Sequence, residues 1–115
     1  MRARASTVDE IAAISGALKE VALDLDVVMV ALSQLSRSPE GRADKRPNLS
    51  DLKGSGALEQ DADVGILLFR EEMHERTDAN AGVAEAIVAK NRDGETGVAK
   101  LCFIKQLARF ENLAF

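Results

Sequence analysis

Aromatic residues are scarce in this chain, which has no tryptophan, no tyrosine and only 4 phenylalanines among 115 residues. Base stacking on aromatic side chains, a common means of binding single-stranded nucleic acid, is therefore disfavoured. Cysteine and histidine occur once each, as Cys102 and His74. These two residues allow no internal disulfide and assemble neither a zinc site nor a Ser-His-Asp or Cys-His catalytic set. We predict that Cys102 is a small core side chain and that His74 lies in a solvated loop.

Long apolar runs are also absent. No run approaches the ~20 apolar residues that span a bilayer, and no signal-type apolar core follows the N-terminus. The sequence therefore predicts a cytoplasmic protein with no membrane partner. A composition of 46% hydrophobic and 30% charged residues is typical of a soluble globular protein, and residues 1–115 suffice for one domain with one core.

Positive charge is too sparse for the whole surface to attract nucleic acid, because the formal net charge is −4. The segment from Arg37 to Lys53 is an exception, with 5 basic residues against 3 acidic ones. A solvated connection is the simplest interpretation of these charges. The segment is nevertheless long for an unstructured connection, and loops of that length are often functional.

The phosphate-binding motif G-x-x-x-x-G-K-S/T does not occur anywhere in the chain. The loop that cradles nucleotide phosphates in proteins with this motif is thus missing. If the chain takes part in nucleotide chemistry, it contributes other groups to the site.

Hydrophobic periodicity predicts an α/β fold. A capping box at Thr7–Glu10 begins a helix that we place at Val8–Leu25. The β-branched run Val27–Leu32 follows and predicts a strand buried on both faces, which favours a mainly parallel sheet with helical crossovers. A short helix is predicted at Ala57–Ala62, and an exposed connection at Arg70–Gly82. The other predicted strands are Val64–Phe69, buried on both faces, Val83–Ala89, Val98–Ile104 and a short one around Ala108–Phe110, with an antiparallel hairpin turning at Asn91–Gly97.

Polar groups suited to phosphate follow two of these strands. Gln34 comes just after the strand ending at Leu32, where its amide could donate to a phosphate or a water; a solvent-exposed strand end is the alternative. Lys90 and Arg92 follow the strand that starts at Val83 and share one side if the extension continues. Two cations there could stabilise charge in phosphoryl transfer, or simply form a basic turn paired with neighbouring carboxylates.

Glycines allow close approach of the backbone to phosphate in the loop Lys53-Gly54-Ser55-Gly56. The amino end of the short helix that follows adds a favourable dipole. This loop could therefore contact a nucleic-acid backbone, without base specificity and with strong salt dependence. A flexible glycine turn is the alternative.

The order of these segments resembles the motor domain of replicative DNA helicases of the DnaB family. The resemblance extends from about Thr7 to Leu113 and is carried by the segments Ala31–Arg37, Leu49–Asp63, Ala89–Gly94 and Arg109–Leu113. It implies the C-terminal portion of a RecA-like core of the P-loop NTPase type, as a single domain over residues 1–115 that lacks the Walker A and Walker B segments.

The resemblance also implies roles for individual residues. Gln34 would sense the γ-phosphate, and Arg92 with Lys90 as its companion would act as an arginine finger on the nucleotide of a neighbouring subunit. The loop from Lys53 to Gly56, including Gly54 and Ser55, would contact DNA together with Arg37. The carboxylates of Glu59–Asp63 would cap the short helix and orient the DNA loop or a subunit neighbour, and no metal ligand is expected here.

The parent protein implied by this resemblance is a homo-hexameric helicase that couples ATP hydrolysis to translocation on single-stranded DNA and to unwinding in replication. It would use ATP and Mg²⁺, with a helicase loader and primase as possible partners. This chain alone is expected to be inactive and to bind neither cofactor. Gln34 and the pair Lys90 and Arg92 would then share one edge of the sheet.

Two other interpretations remain open. The chain could be a non-catalytic interaction module derived from such a helicase. It could also belong to a RecA/RadA-type recombination ATPase, whose core has a similar glutamine. The segment Asp51–Asp63 favours the helicase, because a recombinase is expected to differ most in its DNA loops.

Overall fold

The computed structural model describes residues 7–35, 43–52 and 55–113. The chain divides into two compact units, one of Met1–Ser38 with Leu49–Ala62 and the other of Pro39–Asn48 with Asp63–Phe115. The sequence-predicted DNA contacts Arg37, Lys53 and Gly54 lie outside the described residues.

Helix α1 (Thr7–Leu25) confirms the predicted first helix within one residue. Asp9 and Glu10 lie in its first turn, where negative charge complements the helix dipole. The helix ends because Asp26 adopts a left-handed conformation with φ of 52°. The N–H of Val27 then donates to the carbonyl of Ala22 at 3.1 Å, as in a Schellman closure.

The first unit also contains a 3-10 turn at Leu49–Asp51 and helix α2 (Ser55–Asp61). Helix α2 packs against α1. Ser15 on α1 is buried, and its Oγ donates to Oδ2 of Asp61 on α2 at 2.7 Å. This hydrogen bond joins residues that are 46 positions apart in the sequence.

The predicted strand at Val27–Leu32 is wrong for the described residues. The segment has no strand partner there, and Val28 and Leu32 are almost fully exposed. A β-branched run favours extended backbone, but a strand also needs a neighbour for its N–H and C=O groups. The local sequence pattern indicates extended backbone, but it does not indicate whether a neighbouring strand is present.

The second unit is a four-stranded sheet in the order β1-β2-β3-β4, with every adjacent pair antiparallel. The predicted hairpin is confirmed, whereas the prediction of a mainly parallel sheet is wrong for the described strands. In an antiparallel pair the second strand begins at the edge of the sheet where the first strand ends, and each connection here joins two strands at one edge. The strands are β1 (Val64–Phe69), β2 (Val83–Asn91), β3 (Gly97–Ile104) and β4 (Arg109–Asn112).

Strand β1 is buried on one face only. Leu67 and Phe69 are buried, whereas Ile66 and Leu68 are more than half exposed. The prediction that this strand is buried on both faces is therefore wrong. An antiparallel sheet can leave one face uncovered, and a continuous apolar run does not show which face that is.

The connection from β1 to β2 is mostly exposed, as predicted, but it is ordered around one buried amide. Asn80 is buried and donates through Nδ2 to the carbonyl of Glu75 at 2.7 Å. Its Oδ1 accepts the N–H of Thr77 at 2.9 Å.

Within the described residues, no helix has the length and hydropathy needed to cross a membrane.

Candidate functional site

The two predicted cations lie where β2 leaves the sheet. Lys90 is opposite Gly65 of β1, and the register shifts between Gly65 and Ile66, so that Ala89 is an extra residue on β2. Bulges of this kind redirect nearby side chains and are frequent beside functional sites. Strand β2 ends at Asn91, so the alternation that would put positions 90 and 92 on one side does not extend to Arg92.

Arg92 is attached to Asp63 by two contacts. Its main-chain N–H donates to the carbonyl of Asp63 at 2.9 Å, and its Nη1 donates to Oδ1 of the same residue at 2.5 Å. The side chains of Arg92 and Asp63 are 45% and 58% exposed. The carboxylate in this ion pair is thus 29 positions away in the sequence, rather than that of the neighbouring Asp93 or Glu95.

Gln34 lies in the first unit, in exposed extended backbone. The next residue, Leu35, forms an isolated antiparallel bridge with Leu52. Leu52 directly precedes Lys53, the first residue of the predicted DNA loop. One bridge therefore joins the segment that carries Gln34 to the segment that leads into that loop, although the two are distant in sequence.

The described part of the predicted DNA loop differs from the prediction. Helix α2 begins at Ser55 rather than at Ala57, which puts Ser55 and Gly56 in its first turn instead of in the preceding loop. Gly56 is exposed, and a Cβ added there would meet no atom within 4 Å. The helix includes Gly56 despite the low helix propensity of glycine, because α2 packs against α1 and such packing supplies most of the stability of short helices in proteins.

An ion pair that sequence reasoning missed joins the half-buried Arg46 to the buried Glu85. Arg46 donates from Nε to Oε1 at 3.0 Å and from Nη2 to Oε2 at 2.7 Å, a bidentate geometry. The side chain of Glu85 is only 9% exposed, and the Arg46 guanidinium also lies 5.1 Å from the ring centre of Phe69. The Glu85 hydrogen bonds raise the pKa of Arg46, an effect that burial partly opposes.

One sequence feature could have revealed this pair. Glu85 interrupts the apolar strand Val83–Ala89, and a carboxylate on a core-facing position needs a cationic partner. The sequence does not identify that partner, because Arg46 lies 39 positions earlier in a segment whose charges suggested solvent exposure.

Cys102 and His74, which each occur once, lie in the second unit. Cys102 is half-buried in β3 and in no disulfide. The ring of His74 stacks on that of Phe69, with centroids 5.5 Å apart. Across residues 7–35, 43–52 and 55–113, no group of three or more His, Cys, Asp or Glu side chains is arranged to hold a metal ion.

Comparison with known protein families gives a match over almost the whole chain. The model of the DnaB-like helicase C terminal domain matches residues 1–112. Curated relatives include the replicative DNA helicase DnaB of Pasteurella multocida (strain Pm70), which is 50% identical over 105 residues, with 91% of this chain and 22% of the relative covered. The DnaB helicase of Geobacillus stearothermophilus is 44% identical, with 97% of this chain and 25% of the relative covered.

Solved structures agree with these sequence matches. One of them, the structure of an ATPase domain, superposes with a TM-score of 0.89 at 48% identity, covering 98% of this chain and 40% of that chain. A structure of a DnaB-like replicative helicase and its interactions with primase gives a TM-score of 0.90 at 47% identity, covering 99% of this chain and 28% of that one. The chain thus spans about a quarter of the length of these curated relatives and adopts part of an α/β ATPase fold.

Proposed function

The chain belongs to the family of DnaB-like helicase C-terminal domains, and we propose that it forms part of the ATP-driven motor of a replicative DNA helicase. The family match over residues 1–112 is the observation that carries this proposal. The same match favours a helicase over a RecA/RadA-type recombination ATPase.

Residues 1–115 form the C-terminal portion of the motor domain in this proposal. The Walker A and Walker B segments belong to the remainder of a longer protein, as do the carboxylates that bind Mg²⁺. The chain has no G-x-x-x-x-G-K-S/T motif, so it does not hydrolyse ATP by itself. The exposed apolar side chains of Val28, Val30 and Leu32 are consistent with a segment that packs against further protein.

The ATP site of the parent lies between subunits, and this chain supplies polar groups to it. Arg92 contacts the terminal phosphate of a nucleotide on the neighbouring subunit, with Lys90 as its companion, and stabilises charge that develops in phosphoryl transfer. Gln34 senses the γ-phosphate of the nucleotide on its own subunit through its side-chain amide.

DNA contacts come from the loop that precedes α2. Lys53, Gly54, Ser55 and Gly56 contact the phosphates of a single DNA strand, and Arg37 adds a further cation. The bridge between Leu35 and Leu52 supports a coupling between nucleotide and DNA, because it joins the main chain next to Gln34 to the main chain next to Lys53. Loss of the γ-phosphate would therefore reposition the DNA loop.

A ring is required by this arrangement, because the finger acts on another subunit. We assign the parent protein to a homo-hexamer that translocates on single-stranded DNA in the cytoplasm and unwinds the duplex during replication. A loader and a primase are the expected protein partners. One of the similar solved structures concerns a helicase and its interactions with primase, which supports the latter.

Arginine substitution in the assembled full-length protein tests the proposal. We expect Arg92→Ala to lower kcat for ATP hydrolysis by about 10³-fold and to leave nucleotide binding nearly unchanged, as measured by titration with a fluorescent ATP analogue. Arg109→Ala is the matched control, because Arg109 is an exposed arginine of β4 paired with Glu111. Full turnover by Arg92→Ala would refute the finger assignment.

A further inference from the structure

We propose that Asp63 is a positioning residue for Arg92, holding its guanidinium in the orientation from which it reaches the neighbouring subunit's nucleotide. This inference rests on the proposed function, since it presupposes that Arg92 is the finger. It adds a residue that acts through Arg92 and does not itself touch the nucleotide.

The geometry that supports this role is the double attachment of Arg92 to Asp63. The main-chain hydrogen bond of 2.9 Å fixes the position where the Arg92 side chain starts. The ion pair of 2.5 Å then fixes the direction of the guanidinium. The preceding pair in the ladder, Asn91 with Val64, holds the same two segments together, so Asp63 extends the sheet contact by one residue beyond the strand.

Because both side chains of this ion pair are exposed to solvent, we infer that the pair orients the guanidinium rather than stabilising the fold. Both side chains are about half exposed, and ion pairs in such surroundings contribute little to stability. A long arginine side chain on a turn would otherwise sample many rotamers, and ordering it has an entropic cost. An arginine that is already oriented avoids this cost when it meets the phosphate.

Asp63 lies in the chain between helix α2 and strand β1. The hydrogen bonding of α2 reaches Ala62, whose N–H donates to the carbonyl of Leu58 at 3.0 Å. Asp63 is the next residue and precedes β1 directly. In the sequence, one short helix therefore separates the loop that begins at Lys53 from the residue that holds Arg92.

The test uses the assembled full-length protein and measures ATP hydrolysis with and without single-stranded DNA. We expect Asp63→Asn to lower kcat by about three- to fivefold with KM for ATP within about twofold, because the finger is present but less often correctly oriented. Asp93→Asn is the matched control, since it removes the same charge beside Arg92 in sequence, and we expect it to retain both values. Asp63→Glu keeps the carboxylate and is expected to recover most of the loss.

Each result decides between the two proposals. An unchanged kcat in Asp63→Asn, with hydrolysis abolished in Arg92→Ala, would overturn the role of Asp63 and leave the finger intact. Full hydrolysis in Arg92→Ala would overturn the finger and this inference with it. If Asp63→Asn also lowers thermal stability or ring assembly, Asp63→Glu decides, because recovery of kcat supports the positioning role and failure to recover overturns it.

Discussion

Replacement of Arg46 by alanine is the most decisive test of the packing in the second unit. The variant leaves the Glu85 carboxylate in the core without its bidentate partner. It also removes the guanidinium that lies 5.1 Å from the ring centre of Phe69. We therefore expect Arg46→Ala to destabilise the fold far more than the loss of a typical surface arginine.

The magnitude follows from the burial of the two partners. Removing one partner of a fully buried ion pair costs about 3–5 kcal/mol. Glu85 is close to that limit at 9% exposure, but the side chain of Arg46 is 40% exposed, so water would solvate part of the uncovered carboxylate. We expect a loss of about 2–3 kcal/mol, which includes ~0.5–1 kcal/mol for the cation–π contact with Phe69.

Urea unfolding followed by far-UV circular dichroism measures this loss. Intrinsic fluorescence is unsuitable, because the chain has neither tryptophan nor tyrosine. Arg109→Ala is the control, since the exposed pair of Arg109 with Glu111 is expected to contribute no more than ~1 kcal/mol. The double variant Arg46→Met with Glu85→Leu should regain most of the stability, because it leaves no buried charge.

Two results would contradict this reasoning. One is a loss in Arg46→Ala no greater than that in Arg109→Ala. The other is a loss that disappears at alkaline pH. The pKa of Arg46 is raised in the fold, and a raised pKa gives stability that is lost only as the pH rises through the folded value. Since arginine is charged far above neutrality, the difference between wild type and variant should stay constant from about pH 7 to about pH 10.

Two further predictions concern the first unit. Lys53→Ala in the full-length protein should weaken binding to single-stranded DNA. The slope of log K against log salt concentration should fall by about 0.7, the value for one phosphate contact. An unchanged slope in a salt titration would show that Lys53 does not contact a DNA phosphate. Ser15→Ala should cost about 1–2 kcal/mol in urea unfolding, because it deprives Asp61 of a buried hydrogen bond of 2.7 Å. Ser15→Thr, which keeps a hydroxyl, serves as its partner variant, and equal stability of all three proteins would show that this bond does not hold α1 to α2.

Features that depend on neighbouring residues could be predicted from the sequence, whereas features that depend on distant residues could not. The capping box and the spacing of apolar residues predicted α1 almost to the residue, and turn residues predicted the hairpin between β2 and β3. Both features depend on residues only a few positions apart. The run Val27–Leu32 has an equally clear local pattern, yet it forms no strand with the described residues, because pairing depends on residues elsewhere.

The candidate site shows the same division. Its order of motifs pointed to the family, which the matches confirm, and it singled out Gln34, Lys90 and Arg92, whose roles stay proposals. The carboxylate that holds Arg92 was not identified, because the nearby Asp93 and Glu95 were the obvious partners in sequence. Only the structure identifies Asp63 as this partner, because the pairing of β1 with β2 brings the residue that precedes β1 next to Arg92.

The sequence alone determined the helix, the strands of the sheet, the absence of a phosphate loop and the family. Only the tertiary structure decided the direction of β1 relative to β2, the exposed face of β1 and the partners of the charged side chains. These partners lie 29 and 39 positions apart for Arg92 and Arg46. Periodicity and turn preferences act over one or two turns of the chain, whereas an ion pair forms wherever the packed fold brings opposite charges within hydrogen-bonding distance.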